Sequence, residues 1–282
     1  MKFKNPAKHF LKLGHYAILS GFALFAVFPI LWILLTALKR KEDIFSGELG
    51  INLSRLSFDN FYYVLSNNDA VFLTWFKNSF LIALLTSLVC VFLASSAAYG
   101  FSRFKFPGRK QGLFLFMLVQ MFPGVILIIP LYYIMRQLGL LNSYGGLVLA
   151  YASSALPFCV WMLKGFFDTV PRSLEEAARM DGLGSFGIFF RIMVPLALPG
   201  FAVTLFFAFI TAWNEFMIAM TFMSNESLYT LPVGIQTYVH EYDTDWHLMA
   251  AAGILITLPA LFVFMRLQPL IISGLTKGAT KS

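Results

Sequence analysis

The residues able to do chemistry are few, and their spacing excludes most of it. The four histidines, His9, His15, His240 and His247, share no metal-ligand spacing, so no metal site is expected. Cys90 and Cys159 each lie inside an apolar run and read as small core residues, not as a disulfide framework. No Gly-x4-Gly-Lys-Ser/Thr stretch exists to cradle phosphates, and no Gly-x-Ser-x-Gly elbow presents a nucleophile. The chain is therefore not expected to be an enzyme. Asn214 and Glu215 fall in a long apolar run, where a charge costs at least a few kcal/mol unless sheltered. They are candidate pathway or interface groups, or else boundary residues that are paired or wetted.

Two segments keep chemical interest. In 234–245, Gln236, Tyr238, His240, Glu241, Tyr242 and Asp243 mix rings with hydrogen-bonding groups, which suits a sugar face or a protein surface. An interfacial aromatic belt is the alternative. In 170–195, Ser173 and Glu176 have capping-box spacing, two acids follow Leu174, and Gly182 suits a helix C′ position. The pattern predicts a short helix over about Leu174–Asp181. A second helix, capped by Ser185, carries Phe186, Phe189, Phe190 and Met193 on one face. A two-turn helix is unstable alone in water, so another protein or the lipid headgroups must hold it. Ala177 and Ala178 give the first helix a face that a partner can approach closely.

The elements that position these segments follow from composition. Of 282 residues, 59% are apolar and 12% charged, with 32 Phe and a mean hydropathy of +0.74. Soluble domains carry about 25% charge, so this is an all-α, polytopic membrane protein. A spanning helix needs roughly 20 apolar residues. Six runs qualify: Tyr16–Leu38, Ser79–Tyr99, Leu113–Met135, Gly146–Leu163, Leu196–Thr221 and Leu248–Ile272. The first exceeds a signal-peptide core and reads as an uncleaved anchor. Pro123 and Pro130 should kink the third span, and Pro157 the fourth.

With both termini cytoplasmic, fifteen Lys and Arg lie inside and six outside, as the positive-inside rule requires. The outer Lys39–Lys41 cluster opposes the trend locally. The pI of 9.4 and net charge of +7 thus reflect topology and not nucleic-acid binding. Residues 1–282 form a single transmembrane domain, with one long cytoplasmic loop at 164–195.

That loop carries a family resemblance. Glu176-Ala177-Ala178, three residues, Gly182, nine residues, then Ile192-Met193-Val194-Pro195 is similar to the E-A-A-x3-G-x9-I-x-L-P pattern of ABC importer permeases, with Val194 for Leu. Trp213-Asn214-Glu215-Phe216 and Tyr229-Thr230-Leu231-Pro232-Val233-Gly234 resemble carbohydrate importers of that family. The tail Gly274-Leu275-Thr276-Lys277-Gly278 resembles the end of a maltose-type permease subunit.

The resemblance implies a type I ABC importer permease fold. It implies that Glu176, Ala177, Ala178, Asp181 and Gly182 couple to an ATPase. Leu275, Thr276, Lys277 and Gly278 would enter the ATPase interface. Gln236, Tyr238, His240, Glu241 and Tyr242 would meet a binding protein or its sugar. The implied partners are a second, different permease, an ATPase dimer and an extracytoplasmic solute-binding protein in a prokaryotic inner membrane. This chain would hold no cofactor, and ATP and Mg would belong to the ATPase. A permease for a non-sugar solute is the first alternative. A polytopic enzyme would need intramembrane histidine or acid clusters, which the sequence lacks, and the sparse intramembrane charge argues against a proton-driven carrier.

Overall fold

The computed structural model describes residues 6–44, 55–66, 71–240 and 243–279. Among them all regular structure is helical. In chain order the helices are α1 (Pro6–Leu38), α2 (Lys41–Ile44), α3 (Asp59–Ser66), α4 (Val71–Arg103), α5 (Arg109–Gln120), α6 (Gly124–Gln137) and α7 (Tyr144–Thr169). There follow α8 (Arg172–Met180), α9 (Ser185–Ile188), a π-helical turn at Phe189–Met193, α10 (Val194–Leu196), α11 (Leu198–Trp213), α12 (Met217–Phe222), α13 (Leu231–Ile235) and α14 (Trp246–Ala279).

Among the described residues, four helices are long and apolar enough to span a membrane alone: 14–38 within α1, α4, α7 and 246–273 within α14. Two bent pairs are long and apolar enough only when their halves are taken together. The α5–α6 pair bends by 103°, and the segment 185–196 meets α11 at 78°. Counted with each bent pair as one broken span, these reach the six expected.

The third span is a correction, because the sequence suggested a kinked helix and the structure breaks it. Met121 closes α5, and Pro123, with no N–H to donate, stands at the N-cap of α6. Pro130 and Pro157, by contrast, sit inside unbroken helices. The second span is longer than expected, since α4 starts at Val71 and carries Lys77 within it. The fifth stops at Trp213 and resumes at Met217.

The chain divides into two compact units. In the first (residues 1–70 and 237–257), the side chains from Tyr16 to Ile33 are exposed, as a lipid-facing or partner-facing helix requires. The end of α1 is tied to α3: the Asn60 side-chain amide donates to the carbonyls of Ala37 and Lys39, each at 2.8 Å. These bonds occupy carbonyls that a helix end leaves free.

The second unit (residues 71–236 and 258–282) is built on α4, α7 and α11. Cys90, Ala94 and Ala98 on α4 and Ala152, Ala155 and Cys159 on α7 are all buried in one core. Lipid tails are as apolar as Leu, so spans associate through close packing, and small side chains allow it. α7 starts cleanly because the Ser143 hydroxyl accepts from the Gly146 amide at 3.1 Å.

Candidate functional site

The 164–195 loop forms the expected short helix with different caps. α8 runs from Arg172 to Met180, its N-cap is Pro171, and no side chain caps it. The expected Ser173–Glu176 capping box is not made. Pro171 ends α7's exit and presets the backbone for the next helix, which starts before Ser173 can cap it. The other end follows expectation. Gly182 has φ +84°, its N–H donates to the Arg179 carbonyl, and the Leu183 N–H donates to the Ala178 carbonyl, both at 3.0 Å. This is the Schellman arrangement.

That turn fixes which faces of α8 are covered. Ala178 is buried against the α4–α7 core, together with Ile188 and Met193. Glu176, Ala177 and Asp181 are exposed, as is Met180, 88% accessible. The five residues named for coupling therefore divide: Ala178 holds the helix, and the others border its free face. The following aromatic face is also divided. Met193 is buried and Phe189 half-buried, while Phe186 and Phe190 are exposed. Phe186, Phe189 and Phe190, with Phe92, Tyr99 and Phe104, line a cleft of about 430 Å³. Ser185 does not cap α9, whose N-cap is Gly184.

Sequence reasoning missed the group that anchors α8. Glu175, not Glu176, is buried, and it forms an ion pair with Arg103 at the end of α4. The two side chains are 7% and 6% exposed. The Arg103 guanidinium also donates to the Ser102 hydroxyl at 3.0 Å and to the Val170 carbonyl at 2.9 Å. The Ser102 hydroxyl donates to Asp168 at 2.6 Å, and Asp168 pairs with Lys164 one turn earlier on α7. A signal was present: Glu175 lies three residues before Ala178 and so shares its inward face.

Glu215 is placed by the break in the fifth span. Its carboxylate accepts from the N–H groups of Ile218 at 2.8 Å and Ala219 at 3.1 Å, capping α12. The buried Tyr151 hydroxyl lies beside it. Asn214 is exposed at the C-cap of α11. The pair reads as a helix break whose free amides are satisfied internally, as irregular backbone at membrane depth demands.

At the other end of α4, the Tyr229–Gly234 stretch is pinned down. Asn78 donates to the carbonyls of Ser227 and Tyr229, each at 2.9 Å, and accepts from the Tyr144 hydroxyl at 2.6 Å. The Ser79 hydroxyl accepts from the Leu231 amide at 2.7 Å. Only glycine fits at 234, because a Cβ there would stand 2.1 Å from the Trp75 ring.

Of the outer-loop residues, Gln236 and His240 are exposed and Tyr238 half-buried. Glu241 and Tyr242 lie outside the described residues. Lys41 pairs with Asp243 at 2.5 Å and Asp245 at 2.8 Å, and His240 approaches Asp245 at 3.3 Å. Asp243 and then Asp245 hold the Lys41 ammonium above its usual range. Partial burial is the largest single influence and works to raise the Asp245 carboxyl, but the hydrogen bond and charge of Lys41, with His247 and His240 nearby, together outweigh it, and the group lies below the usual range. Burial, with Tyr63 and Asp245 nearby, pushes the Tyr238 hydroxyl up. The Lys41 charge, which opposed the topology count, is thus neutralised locally, and Arg55 is matched by Asp43 at 3.0 Å. The tail segment is helical. α14 continues to Ala279, and the side chains of Leu275–Gly278 lie outside the description.

This architecture, broken spans around a core with a short helix standing off one end, is that of type I ABC importer permeases. Residues 90–277 match the binding-protein-dependent transport system inner membrane components, and the chain belongs to that family. It is 34% identical over 270 residues to the inner membrane ABC transporter permease protein YcjP of Escherichia coli, covering 96% of both chains. It is 37% identical over 255 residues to the sulfoquinovosyl glycerol transport system permease protein SmoH of Agrobacterium fabrum, covering 90% of this chain and 89% of that one. It is 33% identical over 267 residues to the maltodextrin transport system permease protein MalD of Streptococcus pneumoniae, covering 94% of each. The fold matches a chain of a bacterial ABC transporter involved in import of the acidic polysaccharide alginate. The TM-score is 0.76 at 24% identity, over 95% of this chain and 99% of that one. The protein is a multi-pass permease component of an ABC transport system.

Proposed function

We propose that this chain is one of two permease subunits of an ATP-driven importer for a sugar or short oligosaccharide. The observation that carries the cargo class is likeness over nearly the whole chain to permeases named for carbohydrate cargo, among them those for maltodextrin and sulfoquinovosyl glycerol. A second, different permease completes the pathway, and an extracytoplasmic binding protein delivers the sugar. Separate ATPase subunits hold ATP and Mg, and this chain performs no catalytic step. The exposed face of α8, with Glu176, Ala177, Asp181 and the Gly182 turn, receives the ATPase on the cytoplasmic side. The 236–242 loop faces the binding protein, and the helical tail at Leu275–Gly278 extends toward the ATPase pair. Both termini are cytoplasmic in this arrangement.

Ligand-driven alternation then follows from mechanics. ATPase closure moves α8, and α8 moves the span ends packed behind it. The test is to purify the tagged chain from its native membrane in mild detergent. A second permease and an ATPase should co-purify, and sugar-loaded binding protein should raise ATP hydrolysis several-fold. Co-purification without an ATPase, or hydrolysis indifferent to every sugar-loaded binding protein tried, would overturn the assignment.

A further inference from the structure

Arg103 has no place in the coupling motif, yet its side chain joins four elements. From the last turn of α4 its Nε donates to Glu175 on α8. One terminal nitrogen donates to Ser102 at 3.0 Å, and through Ser102 reaches Asp168 on α7. The other donates to the Val170 carbonyl at the α7 C-cap, at 2.9 Å, and lies 3.6 Å from the Met193 sulfur ahead of α11. A guanidinium presents its donors in a rigid planar fork, so satisfying one partner fixes the direction of the others. The charges also close within the cluster: Arg103 and Lys164 face Glu175 and Asp168.

We propose that Arg103 is a positioning residue for energy coupling, which clamps α8 to the ends of α4 and α7 and to the π-helical turn at Phe189–Met193 so that all four move as one body. This rests on the coupling role proposed for α8 above. Without the clamp, α8 keeps only the packing of Ala178 and its neighbours and the Gly182 turn. It remains helical and can still dock, but it rocks against the bundle, and ATPase motion is lost in that rocking. Lysine cannot substitute, because one ammonium on a flexible stem cannot hold Glu175, Val170 and Ser102 in a fixed relative geometry.

The test combines transport with a distance measurement on the assembled complex. Spin labels go at Lys105→Cys and Ser173→Cys, both exposed sites, the second on α8 outside the face proposed for docking, with Cys90 and Cys159 changed to Ala. In the complex with native Arg103, the label distance should be the same with and without ATP. In Arg103→Lys the distribution should broaden or shift on ATP addition. Sugar moved per ATP should fall at least about fivefold while the subunits still co-purify. The paired variant Arg103→Met with Glu175→Leu removes both charges and keeps apolar bulk, so it should assemble and show the same uncoupling.

Wild-type label distances and sugar-to-ATP ratio in both variants would overturn the proposal. So would a label distance that changes with ATP when Arg103 is intact, or failure of the paired variant to assemble, which would make the cluster a folding determinant only. If the native complex moves no sugar and the distances behave as expected, the cargo assignment fails and the clamp stands.

Discussion

Replacing Glu215 separates a structural cap from a transport residue. Its carboxylate takes the amides of Ile218 and Ala219, and both residues are buried, at 7% and 0% exposure. Glu215→Ala orphans both donors where water does not reach them. At about 1–3 kcal/mol for each unsatisfied buried group, the two together come to about 2–6 kcal/mol. Glu215→Gln keeps one carbonyl oxygen facing the same amides and should lose about 1 kcal/mol, the worth of one hydrogen bond. At about 2–4 °C per kcal/mol for chains of roughly this size, Ala should lower the melting temperature of the detergent-purified complex by at least about 4 °C and up to about 24 °C. Gln should lower it by only a few degrees. The Gln variant, once folded, should transport close to normally, since an amide still closes the helix break. The assay is thermal unfolding followed by size-exclusion chromatography, with uptake measured on the same preparations. An Ala variant that melts with the wild type would refute the cap. A Gln variant of native stability that fails to transport would show that the charge itself serves the pathway.

Four further outcomes follow. Gly182→Val forces a β-branched residue to φ +84°, a strain of about 1–2 kcal/mol; membrane insertion should persist while sugar-stimulated ATP hydrolysis falls. Gly234→Ala drives a methyl into the Trp75 ring, which is buried and held by its N–H to the Glu226 carbonyl at 3.0 Å. The ring cannot retreat, so α13 must shift, and stability should drop by about 1–3 kcal/mol, as for other overpacked sites. Because the Asp245 carboxyl is depressed when folded, its tie to Lys41 contributes fully above about pH 4, the ordinary Asp value, and is lost as the pH falls through the lower folded value. A fluorescent probe at Val239→Cys should show constant mobility from about pH 5 to 8 and loosen only below that window; Asp245→Asn should be loose throughout. Deleting Leu275–Ser282 should weaken ATPase association and leave the bundle folded, measured by co-purification and by melting.

What could be read from the sequence was what depends on pattern alone. Apolar runs marked six spans, and the left-handed Gly182 turn followed from a helix ending on glycine. The breaks were not legible. Pro123 is compatible with a kink or a stop, and the outcome depends on where the freed backbone groups find partners. Without the break at Asn214–Phe216, the amides that Glu215 caps would be bonded within a helix, so its role could not be seen from its position in an apolar run. The Arg103–Glu175 pair joins residues 72 apart in the chain. Positive-inside counting treats Arg103 as one charge among fifteen, and the family pattern draws attention to Glu176, its exposed neighbour. Side-chain networks of this kind are set by tertiary packing, which spacing alone does not encode.

The central claim is that this chain forms part of a sugar pathway driven by ATP. The most direct measurement reconstitutes the purified complex in liposomes with ATP enclosed and sugar-loaded binding protein outside, then follows entry of radiolabelled oligosaccharide. Uptake should require ATP and binding protein together and should survive ionophores that collapse every ion gradient. Uptake that proceeds without ATP, or that stops when the ion gradients are dissipated, would contradict it.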